Sequence, residues 1–310
     1  MASTRANFAD LLTPGFRKIF DDAFKEVPMV MDSIFHIESS EKDTEKDSGV
    51  TGFGLAQITA EGAPINYDDP ISMYDKTYTH IKYTLGFKVT REAVEDDLYR
   101  VFGKKPGLLA RAMRRTAETA AANVFNRAFN TSYLGGDAKP LASTSHPRAD
   151  AGTAQSNASS TGITLSETNL ETARIAARQQ VDDRGQVIDV SPDTLLVPTN
   201  LEKTANLIVN SDMRQGTADN DLNFYKNKFD VKVWRYLDAG ATGGSATAWF
   251  LLDRSQHQLN FFWRERPTFK NDELFDTEYA VYKSTMRLST GFSDWRGVWG
   301  SKGDSAAYSS

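Results

Sequence analysis

The chain of 310 residues contains no cysteine. That absence excludes disulfide staples, thiolate metal sites, iron–sulfur clusters and cysteine nucleophiles together, so stability has to come from packing. Histidine is nearly as scarce: there are four, His36, His80, His146 and His257, and no two stand at a metal-ligand or helix-face spacing. Long apolar runs are missing too. Stretches such as Phe250-Leu251-Leu252 and Phe261-Phe262-Trp263 fall far short of the roughly 20 residues that span a bilayer. Positive charge is short overall, with 36 Lys plus Arg against 41 Asp plus Glu, which excludes a nucleic-acid binder working through net charge and leaves only local contacts. The amino terminus mixes Arg5, Asp10, Arg17, Lys18, Asp21 and Asp22 without an apolar core, so it does not read as a secretory signal, and the protein is expected to stay in the cell that makes it.

What is present is the balance of a folded protein, 40% hydrophobic and 25% charged, at a length that holds two lobes or one large domain. Phe16, Ile19, Phe20, Ala23, Phe24 and Val27 recur at helical spacing, with Thr13 as N-cap and Pro14 at the first helical position. Glu38 to Ser48 is charge-dense and reads as a solvated loop, so the first fifty residues form an arm. An extended run over Val50 to Thr59 and a strictly alternating strand over Thr77 to Thr90 flank a turn-rich middle, predicting a long two-stranded excursion that is marginal alone.

Arg91 to Asn130 predicts helix, with Ala93, Val94, Leu98, Val101 and Phe102 before a break at Gly103 to Pro106 and a long second part over Pro106 to Asn130. Thr131 to Gly162 is a Gly/Ser/Asn-rich loop. Capping boxes at Thr164 to Glu167 and Thr199 to Glu202 open two short helices around the strand Leu195-Leu196-Val197. Strands follow at Phe229 to Val233 and Trp249 to Trp263, and Tyr279 to Trp299 alternates as one long strand.

Motifs with a catalytic mechanism are missing. Gly52-Phe53-Gly54 lacks the third glycine and following helix of a dinucleotide site, and neither a phosphate loop nor a nucleophile elbow occurs. Asp68-Asp69 and Asp182-Asp183 could hold a hard cation, but paired acids in polar loops read first as solvated turn residues. His80 reads as a polar-face strand residue and His146 as a loop residue. From Lys104 to Arg127 six cations face one acid, Glu118, and Arg111 and Arg115 share a helix face. This stripe is either a solvated flank, ion-pairing with a neighbouring chain's acids, or a surface aimed at a polyanion.

The order of parts, and the stretches Phe87-Lys88-Val89-Thr90-Arg91-Glu92, Gly135-Gly136-Asp137-Ala138-Lys139-Pro140-Leu141 with Ser145-His146-Pro147, Thr194-Leu195-Leu196-Val197-Pro198 and Asp294-Trp295-Arg296-Gly297-Val298, resemble the major capsid proteins of tailed bacteriophages with the Hong Kong 97-type fold, and within them the major head subunit family of Mu-like phages. The resemblance covers nearly the whole chain. It implies an α+β fold with an N-terminal arm at 1–49, an extended loop (E-loop) at 50–89, a peripheral domain with a spine helix at 90–163 and 265–310, and an axial domain at 164–264.

It also implies pentamers and hexamers of the chain closing an icosahedral shell around double-stranded DNA, with a separate scaffolding protein, a portal and a decoration protein as partners. Location in the virion after assembly in the host bacterial cytoplasm follows, with no membrane, no cofactor, no metal and no enzyme activity. Lys76, Lys82 and Lys88 lie in the excursion, but nothing marks them as activated for the isopeptide crosslink some members form.

On this reading Phe16, Phe20, Phe24, Ile81, Tyr83 and Leu85 are expected to pack between subunits, because an amphipathic arm and a long hairpin cannot bury their apolar faces in one body. Arg111 and Arg115 are the genome-facing candidates. Two alternatives stand beside it: a nanocompartment shell of the encapsulin kind that packages a cargo enzyme, and a soluble α/β enzyme using Asp182, Asp183 and His257.

Overall fold

The computed structural model describes residues 8–90, 102–213, 222–274 and 279–306. Helix α1 (Phe8–Lys25) lies across the longer helix α2 (Lys105–Asn126). On α2, Leu109, Met113, Ala117, Ala121 and Phe125 recur at every fourth position and are buried. Gly107 faces Ala23 and Ile19 of α1, where an added methyl group would sit at an ordinary contact distance of 3.7 Å. With 22 residues at about 1.5 Å each, α2 is about 33 Å long.

The two helices cover a four-stranded sheet in the order β1 (His36–Ser39), β8 (Leu259–Leu274), β9 (Tyr279–Phe292), β4 (Ile81–Thr90). β1 runs parallel to β8, and the other pairs are antiparallel. Register shifts around Glu265 absorb Pro267, which cannot donate to a ladder. Phe20, Phe35, Phe125, Phe261, Trp263, Met286 and Leu288 share the core between this sheet and the helices.

A second sheet has the order β10 (Val298–Ser301), β7 (Trp249–Leu252), β5 (Thr194–Val197), β6 (Asp230–Val233). Helices α3 (Glu167–Arg178) and α4 (Glu202–Asn210) pack on it around Leu170, Leu195, Val209, Trp249 and Trp299. The third sheet is a hairpin, β2 (Thr44–Val50) against β3 (Ser72–Thr79).

Several expectations from sequence are corrected. Helix α1 starts at Phe8, so Pro14 lies inside it and not at its first position; a Thr-Pro pair signals a start only where nothing upstream is helical. Of the charge-dense run Glu38 to Ser48 read as a loop, the first two residues end β1 and Thr44 to Ser48 lie in β2, because charge density reports exposure and not backbone conformation. Val50 to Thr59 is not a strand beyond Val50. The alternation from Thr77 to Thr90 is cut at His80 into β3 and β4, which belong to different sheets. Likewise, Trp249 to Trp263 is two strands around the turn at Asp253 to His257, and Tyr279 to Trp299 is β9 followed by β10. Alternation shows which side of a strand is buried but not which sheet holds it.

Two caps also move. Ser166, not Thr164, caps α3, its hydroxyl accepting from the Asn169 N–H at 3.2 Å. Thr199 opens a short 3-10 turn ahead of α4, and its N–H donates to Asp238 Oδ1 at 2.7 Å. β8 runs through the expected boundary between Arg264 and Glu265, and β10 joins the second sheet. The helix expected over Ala93 to Val101 lies outside the described residues.

Candidate functional site

Between β2 and β3 the chain from Thr51 to Ile71 forms no regular strand and carries its apolar side chains outward. Phe53 is 66%, Leu55 80%, Ile65 74% and Tyr67 89% exposed, and Val50, Ile58 and Ile71 are exposed as well. No Lys or Arg occurs from Val50 to Asp75. Two residues of one loop tie this tip to the rest of the chain: Arg184 pairs with the Asp68 carboxylate and donates to the Asp69 carbonyl, and Gln186 Nε2 donates to the Phe53 carbonyl at 3.4 Å. Asp68 in turn accepts from the Gly54 N–H at 2.6 Å, and these bonds lower its pKa, the Arg184 bond first.

At the hairpin's base, alternate residues of β3 and its exit reach the body by polar tips. Lys76 Nζ donates to the Leu134 carbonyl at 2.6 Å, and the Tyr78 hydroxyl lies 2.6 Å from Ser293 Oγ. His80 stands between Ser289 Oγ (3.0 Å from Nδ1) and Ser40 Oγ (3.1 Å from Nε2). Ser40 then donates to Glu45 Oε1 at 2.7 Å. Ser40, His80 and Ser289 are all buried.

A second polar knot joins three of the stretches quoted above. His146 is fully buried, with Nδ1 2.6 Å from Asp137 Oδ2 and Nε2 3.0 Å from Asn157 Oδ1. Asn157 gives its amide nitrogen to the Leu141 carbonyl at 2.7 Å and accepts the Ser143 N–H at 2.8 Å, which fixes its orientation. Both ring nitrogens of His146 therefore face oxygen atoms. Trp295 stacks on it, centroids 4.2 Å apart. Arg296 is buried beside it, donating to Asp294 at 3.0 Å and to the Val181 carbonyl at 2.9 Å, with Asp183 3.2 Å away as an ion pair. Sequence reasoning missed this role for His146; the one available signal was that the stretches holding Asp137, His146 and Trp295 had been singled out together.

Glu118 was missed in the same way. It is buried in α2, accepting from the Val30 N–H and the Trp234 Nε1–H, both at 2.8 Å. Burial raises its pKa, and those two bonds oppose the rise.

The candidates from sequence fall as follows. Phe20 is only 1% exposed, inside its own chain's core, 5.4 Å from the Phe269 ring. Phe16 packs edge-on to Tyr282 at 5.5 Å, and Phe24 stacks on Phe20. The expected intersubunit role of Phe20 is corrected to a core role, because α1 finds its bed on α2 and β8 of the same chain, while Phe16 and Phe24 stay partly buried against that core. Tyr83 packs partly against that core, whereas Ile81 and Leu85 on the edge strand β4 are exposed.

Arg111 is paired with Glu26 at 2.9 Å, the intrachain form of the ion-pair reading. Arg115 is exposed and, with Arg114 and Arg235, acts electrostatically on the Tyr236 hydroxyl, so these three guanidinium groups share one neighbourhood.

Asp182, Asp183 and His257 do not converge on a cavity. Asp182 closes its own turn by accepting from the Arg184 and Gln186 N–H groups. Asp183 accepts from the Ala149 N–H at 2.9 Å and faces Arg296. His257 is buried beside His36, ring centroids 4.9 Å apart, and its carbonyl takes His36 Nε2 at 3.0 Å. Burial first, then His36, lowers its pKa to about 4. Of the cavities of about 480, 350 and 130 Å³, only the smallest touches any of the three, at Asp183. The deep polar pocket converging on these three side chains, which the enzyme alternative requires, is not formed among the described residues. Among the described residues no group of three or more His, Asp or Glu is placed to hold a metal ion.

Comparisons place this geometry among known proteins. A family model described as phage capsid protein matches residues 74–301. No curated protein matches the sequence. Among solved structures, that from Mycobacterium phage Adephagia is 13% identical and covers 89% of this chain and 90% of its own, at a TM-score of 0.54. The capsid of a native GTA particle is 12% identical over 88% of this chain and 90% of its own, at 0.56. The capsid of bacteriophage JBD30 decorated with minor capsid protein trimers is 14% identical over 68% of this chain and 92% of its own, at 0.55.

Proposed function

This chain belongs to the phage capsid protein family, and on that premise we propose that it is a major head subunit of the Mu-like kind, which closes an icosahedral shell through pentamers and hexamers of itself. Its fold is the Hong Kong 97-type α+β fold, its function that of a major capsid protein of a tailed phage, and its place the virion. The observation that carries the assembly reading is the apolar tip. Phe53, Leu55, Ile65 and Tyr67 stand in solvent on a two-stranded hairpin that cannot cover them, and a second copy supplies the missing burial.

Within this reading the arm is 1–49, the extended loop 50–89, the peripheral domain 90–163 and 265–310, and the axial domain 164–264. Sheet pairing favours shifting the hairpin to 44–79 and counting β8 with the peripheral and β10 with the axial part. Exposed Ile81 and Leu85 remain proposed intersubunit contacts. Packaged double-stranded DNA meets the chain through phosphate contacts at Arg115, joined by Arg114 and Arg235, and Arg111 is committed to Glu26. A separate scaffolding protein and a portal are further proposed partners, and a decoration protein is another, as on the JBD30 capsid.

Electron microscopy of the expressed protein tests the reading: shells or rings of five and six are expected, and a strictly monomeric species under all assembly conditions would overturn it. The triple variant Phe53→Ser, Leu55→Ser, Tyr67→Ser is expected to stop assembly without lowering the melting point of the subunit. Nuclease-resistant DNA inside the particles separates a genome container from a cargo compartment.

A further inference from the structure

The cavities of about 480, 350 and 130 Å³ differ in charge. Asp304 lines the largest, and Asp47, Asp137, Asp183 and Asp294 line the smallest. The cavity of about 350 Å³ has no acidic residue among the described ones that line it, yet it holds two cations, Lys76 of β3 and Arg127 at the C-cap of α2. It lies where β3, α2, the end of β9 and the loop 132–134 meet. Ala120, Asn123, Val124 and Arg127 stand at i, i+3, i+4 and i+7 and so form one stripe of α2 and its cap, with Ala120 and Val124 only partly covered by the core. Across from them Tyr133 and Leu134 are exposed.

Neither cation is neutralised by contact. Arg127 lies over the Tyr133 ring, 4.2 Å from its centroid, and among the described residues it has no carboxylate partner and no side-chain hydrogen bond, so its N–H fork is free. Lys76 Nζ spends one donor on the Leu134 carbonyl at 2.6 Å and sits 5.7 Å from the centroid of Phe292. Burial lowers its pKa, against the field of Asp137, and that carboxylate is already paired with His146. Thr290 lines the same cavity, and its hydroxyl is buried without a hydrogen-bond partner, which costs stability until something bonds to it.

A guanidinium with a free fork matches the two oxygens of one carboxylate, and a second cation beside it adds charge without adding specificity. The apolar walls, Val124, Leu134 and Phe292, call for a ligand with a body as well as a charge. We propose that this cavity binds a small carboxylate carrying an apolar or aromatic body, its charge held by Arg127 and Lys76 and its body by Val124, Leu134 and Phe292. Bound there, the ligand joins β3 to α2 through groups that the chain itself leaves uncompensated. The site belongs to the isolated subunit and stands whether or not the chain closes a shell.

The probe is 3-phenylpropionate, titrated into unassembled subunits and followed by calorimetry and by the melting temperature, with its neutral amide, acetate and inorganic phosphate beside it. The acid is expected to bind about tenfold more tightly than the amide, which lacks the charge, and than acetate, which lacks the body. It is also expected to raise the melting temperature as its concentration rises, because it binds only the folded chain. Arg127→Gln and Lys76→Gln are each expected to weaken the acid about tenfold and to leave the amide unchanged, whereas Arg178→Gln on α3 changes neither.

Leu134→Glu, at an exposed residue of the rim, supplies a carboxylate from the chain itself and is expected to abolish binding of the acid while the melting temperature of the ligand-free subunit is kept. That variant separates loss of the site from loss of the fold. The proposal is overturned if the acid does not bind, if acid and amide bind equally, or if both cation variants keep the wild-type affinity. Phosphate or acetate binding as tightly as the acid also overturns it, since the apolar walls then take no part. All of these are read before any shell forms, so they are independent of whether the chain assembles.

Discussion

Replacing Phe20 with Ala tests which body owns the arm helix. The ring is 1% exposed and lies between Phe24 and Phe269, 6.5 and 5.4 Å away centroid to centroid, in the core shared by α1, α2 and the four-stranded sheet. Truncating a buried Phe to Ala costs about 3–5 kcal/mol, transfer and cavity together. A chain of this length has an unfolding entropy near 0.65 kcal/mol per kelvin at its midpoint, so the melting temperature of the unassembled subunit is expected to fall by about 5–8 °C. Differential scanning calorimetry at a concentration below assembly reads this directly. Phe24→Ala, which empties a partly buried site, is expected to cost less. An unchanged subunit melting point for Phe20→Ala combined with failed assembly would refute the argument and return the helix to a neighbouring copy.

Glu118→Ala strands the Val30 N–H and the Trp234 Nε1–H in the interior and is expected to cost about 2–5 kcal/mol in urea unfolding, with Glu118→Gln less harmful because it keeps one acceptor. His257 is neutral in the folded chain, its pKa lowered from 6.5 to about 4, so its contribution is intact above pH 6.5 and is lost as pH falls toward 4. The loss is about 2 kcal/mol by pH 5, and His257→Gln should remove that part of the pH dependence of the urea midpoint. Gly297→Ala places a Cβ 2.6 Å from the His257 backbone nitrogen at a φ of +75°, and a melting point equal to wild type would contradict this account of the turn. Neutralising Arg114, Arg115 and Arg235 together is expected to leave shells intact but to lower DNA retention, with the salt slope falling by about 3.

Much of the secondary structure was legible in the chain because its causes are local. The stripe from Phe16 to Phe24 makes α1 whatever it packs on, and Leu109, Met113 and Ala117 do the same for α2. The β5 strand was visible as a short apolar run closed by Pro198. Elements with mixed signals were misread: β2 looked like a loop because both its faces are polar, and His80 looked like one more residue of an unbroken alternation. The candidate site shows the same division. A loop tip was legible in the turn residues after Thr59, but Phe53, Leu55 and Ile58 fell in a stretch read as strand, and nothing nearby in sequence announces that His146 or Glu118 is buried.

Amphipathic periodicity, the absence of catalytic motifs and the order of parts were settled by the amino-acid sequence, since helix and strand preferences depend on neighbours a few positions away. Only the tertiary structure decided which strands share a sheet, that α1 closes on its own chain, and which charged groups are interior. Those outcomes depend on partners far apart along the chain: Trp234 meets Glu118 across 116 residues, and Ser289 meets His80 across 209. A buried charge is tolerable only when such a partner arrives, so its place cannot be read until the chain has folded around it.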